Sequence, residues 1–320
     1  MERIFWIDIL KGFLLFLICL SHYTNLSFPF QYLIAPTGSY WVPMFFVLSG
    51  YLYKEGRSLK NYLHKKNKTL LIPYFFFSFL FLIIDPNLLK GAIYFKDSLY
   101  NIFIIGSGPE KARPLWFVWV LYGCSIISFF IIERIKKSYI KILFTIIVSC
   151  IALLLSYNKI NCIFHIDLIL SATIFFICGY YGKIYIKKFN KIYTIPILSI
   201  IGLLGFWINL GDFHFNQIDN YPLFYLCPIT LTLSLSILLK DIKKSYILSW
   251  IAQNGITILA SHCYLIFSYD FLIRKCSLNL SPSINFFLQT VFIFGILYLI
   301  IIPILNKYCY WAIGKIKNKQ

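Results

Sequence analysis

The stretch IDILKGFLLFLICLSH, residues Ile7 to His22, decides how this chain is read. It is apolar enough to be a membrane-spanning helix, yet it carries Asp8, Lys11 and His22. Ionisable groups inside a span are costly and by default face the protein interior and mark a functional site. With 3.6 residues per turn, Lys11 and His22 fall about 20° apart around the helix axis. Asp8 lies about 60° from Lys11 on the same side, and Asn25, if the helix reaches it, about 40° on the other. One polar stripe therefore climbs a helix whose remaining faces are Leu, Ile and Phe, and a cleft is expected along it. A buried structural ion pair, Asp8 with Lys11, beside an unrelated His is the plainer reading of the same residues.

Composition extends this reading to the whole chain. Of its 320 residues 59% are hydrophobic, the mean hydropathy is +0.75 and only 13% are charged, whereas a soluble globular domain carries about 25% charged residues. The expectation is an all-α polytopic integral membrane protein in which residues 1–320 form a single transmembrane domain with no separate soluble domain. The first span has no small-residue cleavage site, so it is expected to be retained rather than removed as a signal peptide. A net charge of +18 would point to nucleic acid in a soluble protein, but in a membrane protein basic loops record topology. The nine cysteines are scattered, none as CxxC and most within apolar runs. They read as small buried hydrophobes, not as metal ligands or a disulfide framework.

Apolar runs of about 17–25 residues can span a bilayer. Ten candidates appear, at roughly 4–24, 40–53, 69–85, 114–133, 139–157, 166–186, 192–210, 221–239, 247–269 and 284–306. With the N-terminus in the cytoplasm, 22 of the 30 Lys and Arg residues fall on inside segments and seven on outside segments, Lys11 lying within a span. That asymmetry predicts about ten transmembrane helices with both termini cytoplasmic. The connection 86–113 is long, and its tip IIGSGPEKARPLW suits either a re-entrant, lid-like loop or an ordinary surface loop. No internal repeat and no matched pair of broken helices of the inverted-repeat transporter kind is visible.

Several further residues are candidates for chemistry. Ser49 and Gly50 in PMFFVLSGYLY suit close helix packing, while a Ser49 nucleophile would need a base such as His22 in reach. The basic segment KEGRSLKNYLHKKNKTLLIP holds Arg57, Lys65 and Lys68. It reads as topology and attraction to anionic lipid, or as a site for a phosphorylated cytosolic ligand with Lys65 and Lys68 one turn apart. Trp116 and Trp119 fit an interfacial belt or a stacking wall for a sugar. Asn254, Ser261 and His262 share the ninth span, and His262 is either a partner of the His22 cleft or a satisfied structural histidine. His64, His165 and His214 fall in predicted loops. No HExxH, GxSxG or Walker sequence occurs, and no His, Cys or carboxylate spacing suggests a metal.

Five blocks together resemble the membrane acyltransferase-3 superfamily, in particular its branch of fucose 4-O-acetylase-like exopolysaccharide O-acetyltransferases. They are FWIDILKGFLLFLICLSH, FFVLSGYLY, KKNKTLLIPY, LWFVWVLYG and IAQNGITILASH, in that order over nearly the whole chain. The resemblance implies ten spans and acyl transfer, usually of acetyl, from cytosolic acyl-CoA to a carbohydrate hydroxyl, with no permanently bound cofactor. It implies a multi-pass enzyme of the bacterial cytoplasmic membrane whose partners are acyl-CoA, a saccharide acceptor, either free or lipid-linked, and the bilayer. The family's basic–x10–His pair maps onto Lys11 and His22, and its two cations before a Pro map onto Lys65 and Lys68 before Pro73. Arg is common at these positions and Lys stands here, which keeps a point charge but loses the bidentate fork.

On this resemblance His22 is the expected general base, with Asp8 and Lys11 a charged set below it. Lys11 is about 16 Å from His22 along an ideal helix, so it is assigned to the donor's pantetheine or phosphate portion. Lys65, Lys68 and Arg57 are expected to bind the donor; Ser49, Trp116, Trp119, Asn254 and His262 to serve the acceptor or support the site; no metal is expected. The competing readings are a transporter or flippase for a lipid-linked saccharide or acyl donor, and a non-catalytic subunit of a polysaccharide synthesis complex.

Overall fold

In hydrocarbon every backbone N–H and C=O must find a partner within the protein, so an apolar chain of this kind folds into helices. The computed structural model of the protein shows that outcome and describes residues 4–23, 30–85, 91–185, 191–208, 210–242 and 245–315. In chain order its main helices are α1 (Phe5–Leu20), α2 (Val42–Tyr51), α3 (Leu59–Ile84), α4 (Ala92–Tyr100), α5 (Ala112–Arg134) and α6 (Ser138–Tyr157). They continue with α7 (Ile163–Ile184), α8 (Ile192–Leu204), α9 (Tyr221–Leu238), α10 (Tyr246–Gln253), α11 (Gly255–Lys275) and α12 (Pro282–Tyr308). Seven of these, α3, α5, α6, α7, α9, α11 and α12, are long and apolar enough to cross a membrane, and α8 is a shorter apolar helix. Among the described residues the β-structure is one two-stranded antiparallel hairpin, β1 (Gly211–Asp212) with β2 (Gln217–Ile218).

The helices fall into two compact units. The first holds residues 1–18, 35–58 and 120–253, and the second 19–34, 59–119 and 254–320, so the chain changes unit inside α1 and inside α5. In the first unit α2 and α7 meet through reciprocal glycines. A Cβ on Gly50 would strike the Phe176 carbonyl, and one on Gly179 would strike the Val47 carbonyl. Small residues at such points let two backbones approach within a span. Gly12 of α1 lies in the same way against the backbone of Leu248 in α10. The loop after α2 is pinned by one acid, since Tyr53 Oη and the Gly56 amide both donate to Glu133 at 3.0 Å.

In the second unit, the segment after α3 is organised rather than a plain surface loop. Tyr74, fully buried, donates from its hydroxyl to the carbonyls of Ile102 at 2.8 Å and Ser107 at 3.0 Å. Tyr94 donates to Asp85 at 2.6 Å; burial, then this acceptor, pushes its phenol up to about 12. At the end of the chain Lys315 donates to Asn254 and Asn306, both at 2.7 Å, and burial holds its ammonium below the ordinary lysine value.

Four expectations from the sequence need adjustment. α3 begins at Leu59, ten residues ahead of the apolar run, because the basic residues Lys60, Lys65 and Lys66 are good helix formers and carry the helix outward. The seventh apolar segment is helical only to Leu204, then passes through a 3-10 turn at Gly205–Trp207 towards the hairpin. The ninth is broken at Asn254 (φ −108, ψ 19) between α10 and α11, which continues to Lys275. His64 and His165, expected in loops, lie on α3 and in the 3-10 turn that opens α7. The outlying positions Asn25, Lys90, Lys187, Lys188, Lys243, Lys244, Lys317 and Lys319 lie outside the described residues.

The α2–α7 crossing yields a direct test. Gly50→Ala inserts a methyl where the partner is backbone and cannot yield, a case of overpacking that costs about 1–3 kcal/mol. The detergent-solubilised variant should melt at a lower temperature than wild type, and an unchanged Tm would show that the two helices do not meet there.

Candidate functional site

His22 leaves α1 rather than riding on it. The helix ends at Leu20, and residues 21–22 turn through short-range bonds, the His22 amide donating to the Cys19 carbonyl at 3.3 Å and the Tyr23 amide to Leu20 at 3.0 Å. Helix ends commonly tighten in this way to satisfy backbone groups that lack intrahelical partners. Leu20 and Tyr23 on either side are buried, with the Tyr23 ring 6.0 Å from Phe286, so the turn is anchored while the His22 side chain itself is exposed. The polar stripe therefore ends in a turn, and the helical angle places its last member only approximately.

The residue that meets it is His262, from α11. The two rings lie 5.0 Å apart between centroids at an interplanar angle of 53°. His262 is fully buried, and its Nδ1 sits 3.0 Å from the carbonyl of Ile258, one turn earlier. A carbonyl can only accept, so the proton is on Nδ1 and the lone pair is on Nε2. A ring nitrogen of His22, a ring nitrogen of His262 and the Cys263 thiol all lie within 4.8 Å of one another, and Cys263 Sγ is 3.4 Å from His262 Nε2. The result is an exposed imidazole held beside a buried one whose Nε2 lone pair is fixed in direction and faces the Cys263 thiol. Such a pair can take up a proton on the exposed ring and support the resulting charge with the other.

The other candidates have the following surroundings. Asp8 and Lys11 are half-buried on the first turns of α1, in the first unit, within electrostatic reach of one another. Ser49 Oγ donates to the Phe45 carbonyl at 2.8 Å, a bond back along its own helix. Arg57 is half-buried in the loop that Glu133 pins. In the second unit Lys65 is exposed and Lys68 half-buried, one turn apart on α3. Trp116 is buried; Trp119 is half-buried with its ring 5.2 Å from Tyr74. Asn254, at the break before α11, accepts from Lys315. The fold thus joins His22 to His262 and keeps Asp8 with Lys11. Cys263 escaped the sequence reading because each cysteine stood alone in an apolar run; its adjacency to His262 was the available signal.

A family model described as an acyltransferase domain matches residues 4–306. No curated protein and no solved structure matches the chain.

The tautomer can be read directly. In protein carrying 15N-histidine, the His262 signals, identified by their loss in His262→Gln, should show Nε2 unprotonated at neutral pH. A protonated Nε2 would contradict the Ile258 hydrogen bond.

Proposed function

The chain belongs to the acyltransferase-3 family, and from that premise we propose that this membrane acyltransferase moves an acyl group, acetyl by default, from cytosolic acyl-CoA to a sugar hydroxyl. The acceptor on this reading is a cell-surface or exopolysaccharide sugar, and the enzyme works in the bacterial cytoplasmic membrane. The observation that carries the reading is the exposed His22 held against buried, tautomer-fixed His262.

The chemistry needs a base because a sugar hydroxyl is a poor nucleophile at neutral pH. Neutral histidine is the side chain best matched to that task. His22 removes the hydroxyl proton as the oxygen attacks the thioester carbonyl. The tetrahedral intermediate collapses, the carbon–sulfur bond breaks, and the imidazolium returns its proton to the departing CoA thiolate. His262 acts as a positioning residue, since its Nε2 lone pair can accept from His22 and favour one ring orientation. Lys65 and Lys68 supply point charges for the donor's phosphates. Lysine suits this as a point charge although it cannot form the bidentate contacts of arginine. Trp116 and Trp119 are assigned to the acceptor side, where aromatic faces suit a sugar ring. A transporter or flippase reading gains no support from the family match.

Three measurements test this. Surface polysaccharide from cells with and without the gene should differ in mass by one acyl group per modified sugar. Identical masses would count against the acceptor class, and saccharide flux without acyl-CoA consumption would favour a transporter. His22→Ala should lower kcat by about 10²–10⁴-fold, the usual worth of a general base, with membrane insertion intact; an active variant removes His22 from the role. Lys65→Glu combined with Lys68→Glu should raise the KM for acyl-CoA and spare the acceptor KM. An unchanged donor KM would return these cations to topology alone.

A further inference from the structure

Two short sequence patterns from opposite ends of the chain converge at the histidine pair. Cys19 lies in the last turn of α1, and His22 follows three residues on in the turn that ends it. His262 and Cys263 are neighbours on α11, with Cys263 Sγ 3.4 Å from His262 Nε2. The buried Cys19 thiol lies within electrostatic reach of Cys263. Imidazole and thiolate are the ligand types that select zinc-like ions over magnesium or calcium.

We infer that His22, His262 and Cys263 form a binding site for a soft divalent cation of the Zn2+ class, with Cys19 beside it, and that occupancy inhibits acyl transfer. The inhibitory half rests on the reading of His22 as the base; the binding half does not. Zinc bonds of about 2.0–2.1 Å to nitrogen and 2.3 Å to sulfur bring tetrahedral ligands closer together than the 4.8 Å limit seen here. The closure falls to His22, which is exposed and sits in a turn, while the buried His262 stays in place.

His262 already has the surroundings of a metal-bound histidine. Its Nδ1–H is spent on a backbone carbonyl, which leaves Nε2 as the donor atom, and metal-binding histidines nearly always have such an outer partner. The Cys263 thiol loses its proton to solvent as the metal–sulfur bond forms, and both histidines bind through lone pairs without redox change. Cys19 or a water completes the fourth position. Once His22 has given its lone pair to the metal it has none for a hydroxyl proton.

The test uses full-length protein in detergent, stripped with a chelator. Co2+ added to wild type should give the absorption of a tetrahedral cobalt–thiolate centre, and elemental analysis after Zn2+ loading and desalting should find one zinc per chain. Buffered Zn2+ should inhibit transfer, chelator should reverse it, and Mg2+ should do nothing. Cys263→Ser should retain transfer in the absence of metal. It should also lose the cobalt–thiolate absorption and need at least about 10–100-fold more Zn2+ for half-inhibition, since even outer-shell losses cost that much affinity. A wild type without cobalt–thiolate absorption overturns the site whether or not the variant folds. Equal Zn2+ sensitivity in Cys263→Ser, or stimulation by Zn2+, overturns it as well. If stripped wild type transfers no acyl group but binds one zinc, the base reading fails and the metal site stands.

Discussion

A carbonyl freed from its helical partner inside hydrocarbon has no water to turn to, and that constraint shapes this chain at three of its prolines. Wide π turns run over Thr37–Trp41, Asn67–Leu71 and Leu297–Ile301, and Pro43, Pro73 and Pro303 each follow two residues after the turn ends. The residue four before each proline, Ser39, Thr69 and Leu299, is the middle of its π turn. Proline cannot donate to that carbonyl and its ring would collide with it. The helix opens locally and re-forms its ladder with one extra residue per turn. Such turns also cluster at functional sites, and here one of them carries Lys68.

The same constraint explains the histidine pair. A buried imidazole with no partner would be costly. His262 meets the requirement within its own helix, through the Ile258 carbonyl. Because that bond is local, it holds however the helices around it adjust, and it leaves the other nitrogen as an acceptor, with the Cys263 thiol beside it. The orientation of a lone pair, on which both base positioning and metal capture depend, thus follows from a helix-internal hydrogen bond.

Much of the fold was legible from hydrophobic run length alone. The helices α5, α6, α9 and α12 begin and end within a few residues of the apolar runs that predict them, because the bilayer sets one length for all of them. Less legible were features that depend on a single backbone group. The end of α1 at Leu20 is decided by a turn rather than by composition, and the break at Asn254 lies inside a continuous apolar pattern. The start of α3 at Leu59 is set by charged residues that a hydropathy reading discards. At the site, His22 and His262 were both marked by the cost of burying an ionisable group. Their juxtaposition was not, since the two lie about 240 positions apart in the sequence. Cys263 carried no such cost and drew no notice.

The π turn in α3 also has a meaning for sequence drift. A π turn is an α-helix holding one surplus residue, so everything beyond Leu71 is rotated by about 100° relative to an uninterrupted helix. Deleting one residue between Asn67 and Leu71 would therefore shorten the chain by a single position and turn the Tyr74 hydroxyl away from the carbonyls of Ile102 and Ser107. A chain with a one-residue gap at this place must either lack the proline or find another anchor for the segment that Tyr74 now holds. The spacing from Lys65 to Pro73 is thus a mechanical register, and its length carries information separate from the charge of its lysines.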